Sequence, residues 1–418
     1  GRRARTSDVG TRVALLLRLA EIQHAWPDKA IAALEHALEL DPNALGAAER
    51  RALAEQYDRA GVQGTRVLAN HVEVLAADPL ERRSLAALAR HYEEQGDPQR
   101  AHALYEVLAL RDPDNEAARG YLDSVVVSGG GQGELQIASV VPSLPSDGGI
   151  GDALLALLDG GTPILAEYLP RIEVPPEARI SPLGEGLLAQ CWGEVLKRLG
   201  MSKVALVAQT ALGDGPEDGP EVEDGDWLEV RCQQPPIIVA RPPAFEVDDA
   251  DGLRFALARA LYSTRPEAVF AIGLRRATLG RLISAILQAF HPRHSRRKHH
   301  QRPEDFVARL SQELLRKLPM RSSRQLGQLF KDHEDEPFDS RQWRAWIRRA
   351  GNRVGLAVAG DLGAAIRVVT RSTATPTGDT LVELAQADDD LRDLIAFAAS
   401  AAYAAVRQQL GYEIRTRG

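Results

Sequence analysis

Residues 84–115 read SLAALARHYEEQGDPQRAHALYEVLALRDPDN, and this stretch determines the expected fold of the N-terminal part of the chain. Two apolar stripes at helical spacing lie on either side of Gly96, which ends the first helix. Pro113 cannot continue the second helix because it lacks a backbone N–H. The stripes consist of Leu85, Leu88, Ala89 and Tyr92 and of Ala101, Leu104, Tyr105 and Leu108. The stretch therefore predicts two helices joined by a tight turn.

Similar units precede this one. Asp-Pro pairs that would stop a helix recur at Asp41-Pro42, Asp78-Pro79 and Asp112-Pro113, spaced 37 and 34 residues apart. The second unit keeps Leu53, Ala54, Tyr57 and Gly61 and carries a small insertion around residues 62–65, whereas the first keeps Ala30, Leu34, Ala37 and Pro42 behind a divergent leading helix. A helical-hairpin period of 34 residues, with small, aromatic and proline positions, resembles the tetratricopeptide (TPR) family. The resemblance covers residues 11–124.

Three such repeats and a capping helix would stack into a short α-helical solenoid, since one unit alone cannot bury its apolar face. The resemblance implies that the first helix of each pair lines a concave wall, where a peptide or helix of a partner protein binds. By that analogy the contact candidates are Arg50, Gln56, Arg83, Arg90 and His91. The alternative is that the repeats dock the second domain of the same chain.

A domain boundary is expected over residues 128–149, where Gly, Ser and Pro predominate and a short strand is predicted at 135–141. Residues 150–418 then form a mainly helical α+β domain with a small sheet. Its expected strands are residues 203–209, 226–232 and 235–240. Its expected helices are residues 150–169 (one or two helices), 182–199, 248–262, 274–290, 303–318, 322–331, 340–370 with a break near 351–360, and an Ala-rich helix at 388–411.

Seven acidic residues separate the first two strands: Asp214, Glu217, Asp218, Glu221, Glu223, Asp224 and Asp226. Pro and Gly between them prevent regular structure, which favours a solvated loop or hairpin tip. A calcium site is the alternative, but the EF-hand spacing is absent.

The strand PPIIVARPPAF, followed by the helix DDADGLRFALARALYST, resembles the M48-type gluzincin metallopeptidases, in which an edge strand precedes a helix with an H-E-x-x-H motif. That chemistry needs two imidazoles one turn apart on zinc and a carboxylate that activates water. Here the corresponding helix offers Ala258, Arg259, Ala260, Leu261, Tyr262 and Ser263, without His or Glu. The resemblance therefore implies a degenerate, catalytically inactive relative.

Other catalytic patterns are missing from the sequence, including G-x-S-x-G, Walker A and dinucleotide fingerprints. Gly360–Gly363 could form a phosphate-binding turn, but a helix break is the simpler interpretation because no glycine-rich motif follows a strand there. Cys191 lies in an apolar helix without a neighbouring base, as expected of a core thiol.

A basic segment, HPRHSRRKHHQRPED, is an anion-binding candidate through Arg293, Arg296, Arg297, Lys298 and Arg302. The interpretations are a solvated loop, docking on an acidic protein surface of this or another chain, a nucleic-acid or lipid contact, or a metal site. The missing aromatic residues argue against single-stranded nucleic acid. Its four histidines gain charge below about pH 6.5, so anion binding here would strengthen on acidification.

The segment DSRQWRAWIRRAGNRVGLAVAGDL places Trp343, Trp346 and Ile347 on one face of a predicted helix. Its arginines are Arg341, Arg344, Arg348 and Arg349. We expect a tryptophan-anchored core helix with a solvated basic face; the alternative is an arginine rim for an acidic partner.

The chain has 418 residues, a net charge of −7 and two cysteines, which argues against a strongly basic nucleic-acid coat and a disulfide framework. It begins with Gly rather than Met, so a removed signal peptide or a longer parent chain stays an open alternative.

The leading hypothesis is a non-enzymatic, cytoplasmic, bacterial protein-binding adaptor without cofactor or metal, with nucleic acid and membranes disfavoured as partners. The alternatives are a hydrolase with an unconventional site in the second domain, or an anion binder through Arg293–Arg302.

Overall fold

A computed structural model describes residues 2–129, 133–141, 173–212, 226–233, 235–295, 306–335 and 340–417. Two compact units make up the chain. The first comprises Gly1–Gly129, Pro376–Gln408 and Tyr412–Gly418, and the second Gly130–Thr375 and Gln409–Gly411. The predicted helices at residues 150–169 lie outside the described residues.

The first unit begins with consecutive helices, each of which packs against the next along the chain. They are α1 (Arg2–Ile22), α2 (Pro27–Leu40), α3 (Ala47–Ala60), α4 (Thr65–Ala77), α5 (Arg82–Glu94), α6 (Pro98–Arg111) and α7 (Glu116–Ser124), and strand β1 (Val125–Gly129) follows. The stripes predicted on α5 and α6 are buried, except that Tyr92 is half-buried.

Local sequence explains where these helices start and stop. The side chain of Asp97 accepts a hydrogen bond from the Arg100 N–H at 3.2 Å, and Pro98 occupies the first turn of α6. Such a cap satisfies a backbone donor that has no partner within the helix. Gly96 before it has a φ of 69°, a left-handed conformation that glycine adopts without steric cost. The tight turn between α5 and α6 is therefore confirmed.

The second unit holds a three-stranded sheet and a larger set of helices. Its elements are α8 (Leu187–Leu199), β2 (Ala205–Ala208), β3 (Leu228–Arg231), β4 (Ile237–Ala240), α9 (Ala250–Tyr262), α10 (Pro266–Gly273), α11 (Arg276–Phe290), α12 (Pro292–Ser295), α13 (Phe306–Lys317), α14 (Met320–Asp332), α15 (Ser340–Ala359) and α16 (Leu362–Thr370). The mostly helical architecture with a small sheet is thus confirmed.

The sheet has the order β2-β4-β3, with β4 parallel to β2 and antiparallel to β3. All three predicted strands are present, but β2 and β3 do not pair with each other. β2 and β3 therefore do not form a hairpin with each other, since β4 lies between the two strands. No strand forms at residues 135–141, where Ile137–Ser139 make a short 3₁₀ turn.

Helix α9 forms the centre of the second unit, because it packs against α8, α15, α16 and β3. It lies close to α15 at Gly355, where an added Cβ would be 2.8 Å from Phe255 Cδ2 and 2.9 Å from the Phe255 carbonyl oxygen. The predicted break in the 340–370 helix is at Gly360 and Asp361. The Asp361 side chain accepts from the Ala364 N–H at 2.6 Å, which begins α16 as a helix cap and favours the helix-break interpretation.

The last residues return to the first unit. They form α17 (Asp379–Ala387), α18 (Asp389–Ala398), α19 (Ala401–Gln409) and β5 (Tyr412–Thr416). Helices α17 and α18 pack against α6, and β5 pairs antiparallel with β1, with Val125 opposite Thr416. The sequence assigned this segment to a second domain at 150–418; the structure differs, because the apolar faces of these helices are buried against α6.

The single helix expected at residues 388–411 is also divided. Ser400 separates α18 from α19, and its hydroxyl donates to the Phe397 carbonyl and accepts from the Tyr403 N–H. These local hydrogen bonds compete with continuation of the helix. Across the described residues, no helix is both long enough and apolar enough to cross a membrane.

Candidate functional site

Two helices of the first unit present side chains to solvent on one shared surface. Arg83 on α5 lies 3.6 Å from the carboxylate of Glu55 on α3, so these faces adjoin. Ala52, Glu55, Arg83, Ala87 and Arg90 define this surface, which we call the α3/α5 face. Arg83 and Arg90 are exposed, as expected of the contact candidates. Glu55 was missed by the sequence analysis, because only the folded arrangement of the helices places it beside Arg83.

The other contact candidates are less accessible. Gln56 is only 5% exposed, and its Oε1 accepts a hydrogen bond from Arg59 at 3.4 Å, so it is a core residue rather than a contact residue. Arg50 and His91 are half-buried, and the His91 ring packs edge-on against Tyr92. Helical spacing alone assigns such residues to one face of a helix, but it does not show which of them are buried in the fold.

Buried polar contacts join α4 to the helices on both sides. Asn70 Nδ2 donates to the Arg50 carbonyl on α3 at 2.9 Å, and His71 Nδ1 lies 2.9 Å from Ser84 Oγ on α5. Burial lowers the pKa of His71, because the charged imidazolium would lose its hydration. A neutral His71 with a fixed partner therefore holds neighbouring helical pairs in register.

The basic segment is described only at its start. Arg293 pairs with Glu334 at 3.5 Å and with Asp335, both of which follow α14. This pairing favours docking on an acidic surface of the same chain for this residue. Arg296, Arg297, Lys298 and Arg302 lie outside the described residues, as do Asp214–Asp224 of the acidic loop.

Residues 258–263 at the end of α9, where the sequence analysis looked for a zinc-binding motif, are partly packed into the protein interior. Ala258 and Leu261 are fully buried, and Tyr262 is 1% exposed. Arg259, Ala260 and Ser263 instead face a cavity. Within the described ranges, no group of three or more His, Cys, Asp or Glu side chains is arranged to hold a metal ion.

This cavity has a volume of about 790 Å³ and lies within the second unit. Its walls come from β3, the loop before α9, α9 itself, α10, α15 and the end of α16. Apolar side chains of Trp227, Val230, Ala256 and Ile272 form part of the lining. The described lining also contains five arginines, which are Arg259, Arg344, Arg348, Arg367 and Arg371.

Two of these arginines are held by carboxylates. Arg367 donates to Asp249 Oδ2 at 2.7 and 3.2 Å and to Thr375 Oγ1 at 2.8 Å. Asp249 also caps α9 by accepting from the Gly252 N–H at 2.9 Å. Although burial opposes it, the hydrogen bonds from Gly252 and Arg367 keep the pKa of Asp249 below its ordinary value. This carboxylate is therefore charged at neutral pH and fixes Arg367 in place.

Arg371 is the second anchored arginine, and its backbone is strained. Its φ of 54° is the only left-handed value for a non-glycine residue among those described. At this helix C-terminal position glycine is preferred, because a side chain costs about 1 kcal/mol there. The Arg371 Nε lies 3.2 Å from Asp226 Oδ1 on the cavity wall. Backbone strain at a cavity residue is typical of functional sites.

Asp226 is half-buried in the cavity wall. Burial raises the pKa of Asp226 even though Arg259 and Arg241 act in the opposite direction. Electrostatic interactions are stronger where water is partly excluded, because the local dielectric constant is lower.

Other sequence expectations hold in the second unit. Trp343, Trp346 and Ile347 are buried, as expected. The expected solvated basic face is found only in part, because Arg341 is exposed whereas Arg344 and Arg348 are half-buried and line the cavity. Cys191 is 1% exposed, and burial raises the pKa of its thiol, as expected of a core residue. The sequence did not indicate the cavity itself, since Arg259 on α9 is distant along the chain from the four arginines on α15, on α16 and directly after α16.

Comparison with known proteins gives no relative on which an assignment could rest. No family model, no curated protein and no solved structure matches this chain.

Proposed function

We propose that this protein is a protein-binding adaptor whose TPR-like helical repeats hold a segment of a partner protein on the α3/α5 face. In this proposal the consecutive helical pairs form a short solenoid, and the first helix of each pair lines the binding wall. The role is one of assembly, without a chemical step in the repeats.

The observation that carries the proposal is the composition of the α3/α5 face. Charged Glu55, Arg83 and Arg90 lie around the small side chains of Ala52 and Ala87. Small residues let the backbone of a bound segment come close, and the charged groups supply hydrogen bonds that fix its direction. Exposed pairs such as Arg83–Glu55 contribute little to stability, so selection for folding alone gives them little reason to be there.

The packing of the C-terminal segment supports the same assignment. Helices α17 and α18 pack against α6, which is the second helix of its pair. These helices belong to the first unit, so this contact does not test the alternative that the repeats dock the second domain of the same chain. Arg83 and Arg90 on α5 stay exposed beside it.

The proposal can be tested by charge reversal on the full chain. We expect the double substitution Arg83→Glu and Arg90→Glu to abolish capture of the partners retained by the wild type, because their acidic or polar groups would meet like charge. The matched control is Lys29→Glu with Arg66→Glu, which reverses two exposed charges on α2 and α4. Quantitative affinity capture with mass spectrometry measures both.

Retention of the same partners by the α5 double variant, at wild-type levels, would exclude the α3/α5 face as the binding surface. Equal losses of partner capture in the α5 and control variants would show that binding depends on the net charge of the protein and not on the α3/α5 face. Circular dichroism of each variant checks that the helices are intact.

A further inference from the structure

Helix α1 carries apolar side chains on two different sides. One side packs through Leu17 and Ala20 into a core that includes residues of α2. On the other side, Leu15, Leu19 and Ile22 follow one another at spacings of four and three residues, which places them on one face. They are 65%, 41% and 63% exposed. A helix at a protein surface is normally apolar on one face only, so the outer face of α1 has the composition of a covered surface.

Trp26 extends this apolar surface beyond the end of α1. Its N–H donates to the Gln23 carbonyl at 2.8 Å, so the turn before α2 keeps Trp26 close to the helix end. The ammonium group of Lys29 lies 5.4 Å from the centre of its ring, yet Trp26 is 57% exposed. Tryptophan is enriched among the residues that contribute most to protein–protein binding. We call the whole exposed set the α1 stripe: Leu15, Leu19, Ile22 and Trp26.

The two ends of the row of helices in the first unit differ. At one end, α7, α17 and α18 pack against α6, so the chain covers this end with its own helices. At the other end the α1 stripe is exposed. The end helices of stacked repeats need a polar outer face when nothing covers them. In a second copy of the chain the α6 end is covered as well, so the surface of that copy that matches the stripe is its own α1 stripe.

We propose that two copies of this chain form a dimer in which their α1 stripes pack together antiparallel about a two-fold axis. Leu15 of one copy then lies opposite Trp26 of the other, and Leu19 lies opposite Ile22. Spacings of four and three residues are those of the apolar seam through which paired helices contact each other. Arg18 borders the stripe and is exposed. A parallel pair would place the two Arg18 side chains together, whereas the antiparallel arrangement separates them.

The size of the stripe sets the expected affinity. Four large side chains, each exposed by two-fifths to two-thirds, would bury roughly 1,000 Å² in total when two copies pair, which is the lower limit for a specific interface. We therefore expect a dissociation constant in the micromolar range. This surface is separate from the α3/α5 face and does not depend on the adaptor role.

Sedimentation equilibrium of the full chain over the micromolar range tests the proposal. The mass should increase with concentration from that of one chain to that of two. Leu15→Glu with Ile22→Glu should raise the dissociation constant at least about 100-fold, because it places four carboxylates in an apolar interface. The matched control is Val62→Glu with Val72→Glu, which changes two apolar residues that are 40% and 49% exposed elsewhere in the first unit. It should leave the dissociation constant unchanged.

A single-chain mass at every concentration would overturn the proposal, and so would equal weakening in the two double variants. If circular dichroism shows that the charged α1 variant is misfolded, cysteine cross-linking decides the question. Mild oxidation of an equimolar mixture of Leu19→Cys and Ile22→Cys chains should give more mixed disulfide than either self-disulfide, since these positions are opposite each other. The native Cys191 and Cys232 are buried and do not compete. No excess of the mixed disulfide would contradict the antiparallel dimer.

Discussion

At the scale of single residues, Arg407 shows how the C-terminal segment is held in the first unit. Its side chain is fully buried and donates to Gln99 Oε1 and to the Tyr403 hydroxyl, each at 3.2 Å. The guanidinium also lies over the rings of Tyr403 and Tyr412. Gln99 in turn donates to the Tyr412 carbonyl at 2.6 Å. A buried charge needs such partners, because its hydration is lost.

We therefore expect Arg407→Met to destabilise the first unit by about 2–4 kcal/mol, since Gln99 and the Tyr403 hydroxyl lose a partner in the interior. Hydrogen exchange of the α6 amides, measured by mass spectrometry on the full chain, reports this change. Arg415→Met on the exposed part of β5 is the control and should leave α6 protection unchanged. Equal protection of the α6 amides in wild type and Arg407→Met would mean that the interactions of Arg407 make no net contribution to the stability of the first unit.

His102 makes the same region sensitive to acid. Burial and the nearby Arg407 charge lower its pKa to about 3, from an ordinary value of about 6.5 in the unfolded chain. The folded state thus binds this proton less readily than the unfolded state. The contribution of neutral His102 to the free energy of unfolding is fully present above pH 6.5. It is lost as the pH falls towards 3, by up to about 1.4 kcal/mol for each pH unit.

The measurement is the pH dependence of α6 protection between pH 7.5 and 4.5. His102→Gln, which does not titrate, should show a shallower decrease than the wild type. Parallel pH profiles for the two proteins would exclude His102 as a source of the acid sensitivity.

At the scale of elements, the contact between α9 and α15 depends on glycine. An alanine at position 355 would place its Cβ 2.9 Å from the Phe255 carbonyl oxygen, so the helices must separate. We expect Gly355→Ala to destabilise the second unit by about 1–2 kcal/mol, the strain exceeding the gain in helix propensity. Urea unfolding followed by tryptophan fluorescence measures this, because Trp192, Trp227, Trp343 and Trp346 lie in that unit.

Gly280→Ala on α11 serves as the control. No atom lies within 4 Å of an added Cβ there, so the substitution should stabilise the helix by up to about 1 kcal/mol. The close-contact interpretation fails if both alanine variants are stabilised to a similar extent.

Local signals were enough to predict many elements from the sequence. Gly96 marks the turn between α5 and α6, and continuous apolar runs mark β2 and β4. The division between α18 and α19 was missed, because the hydrogen bonds of Ser400 outweigh the helix propensity of the surrounding alanines. Gln56 was misplaced for a related reason: its burial depends on how α3 packs, which spacing within one helix does not determine.

At the scale of the whole molecule, the main unpredicted feature is the pairing of β1 with β5. These strands are nearly three hundred residues apart, and neither carries a signal for the other. The cavity could not be predicted from the sequence for the same reason, since Arg259, Arg344 and Arg371 line one cavity only in the folded chain. Composition and periodicity predict individual helices and strands, whereas the pairing of distant strands depends on the complete fold.

A pair of cysteines tests the register of this two-stranded sheet. Ser128 and Glu413 are exposed and directly opposite each other, so Ser128→Cys with Glu413→Cys should form a disulfide on mild oxidation. Val127→Cys with Glu413→Cys is the control, because neighbouring residues of a strand point to opposite faces. Gel mobility without reductant distinguishes the products, and cross-linking of the control alone would refute the register.

The second unit occupies residues 130–375, between the helices α1–α7 and the helices that return to α6. A single nick in that stretch would produce two polypeptides, one ending after β1 and the other supplying β5 together with α17 and α18. Each polypeptide would carry one strand of the pair, so the halves would stay associated as a split protein. Backbone cleavage there would remove covalent continuity without releasing the C-terminal half from the N-terminal helices.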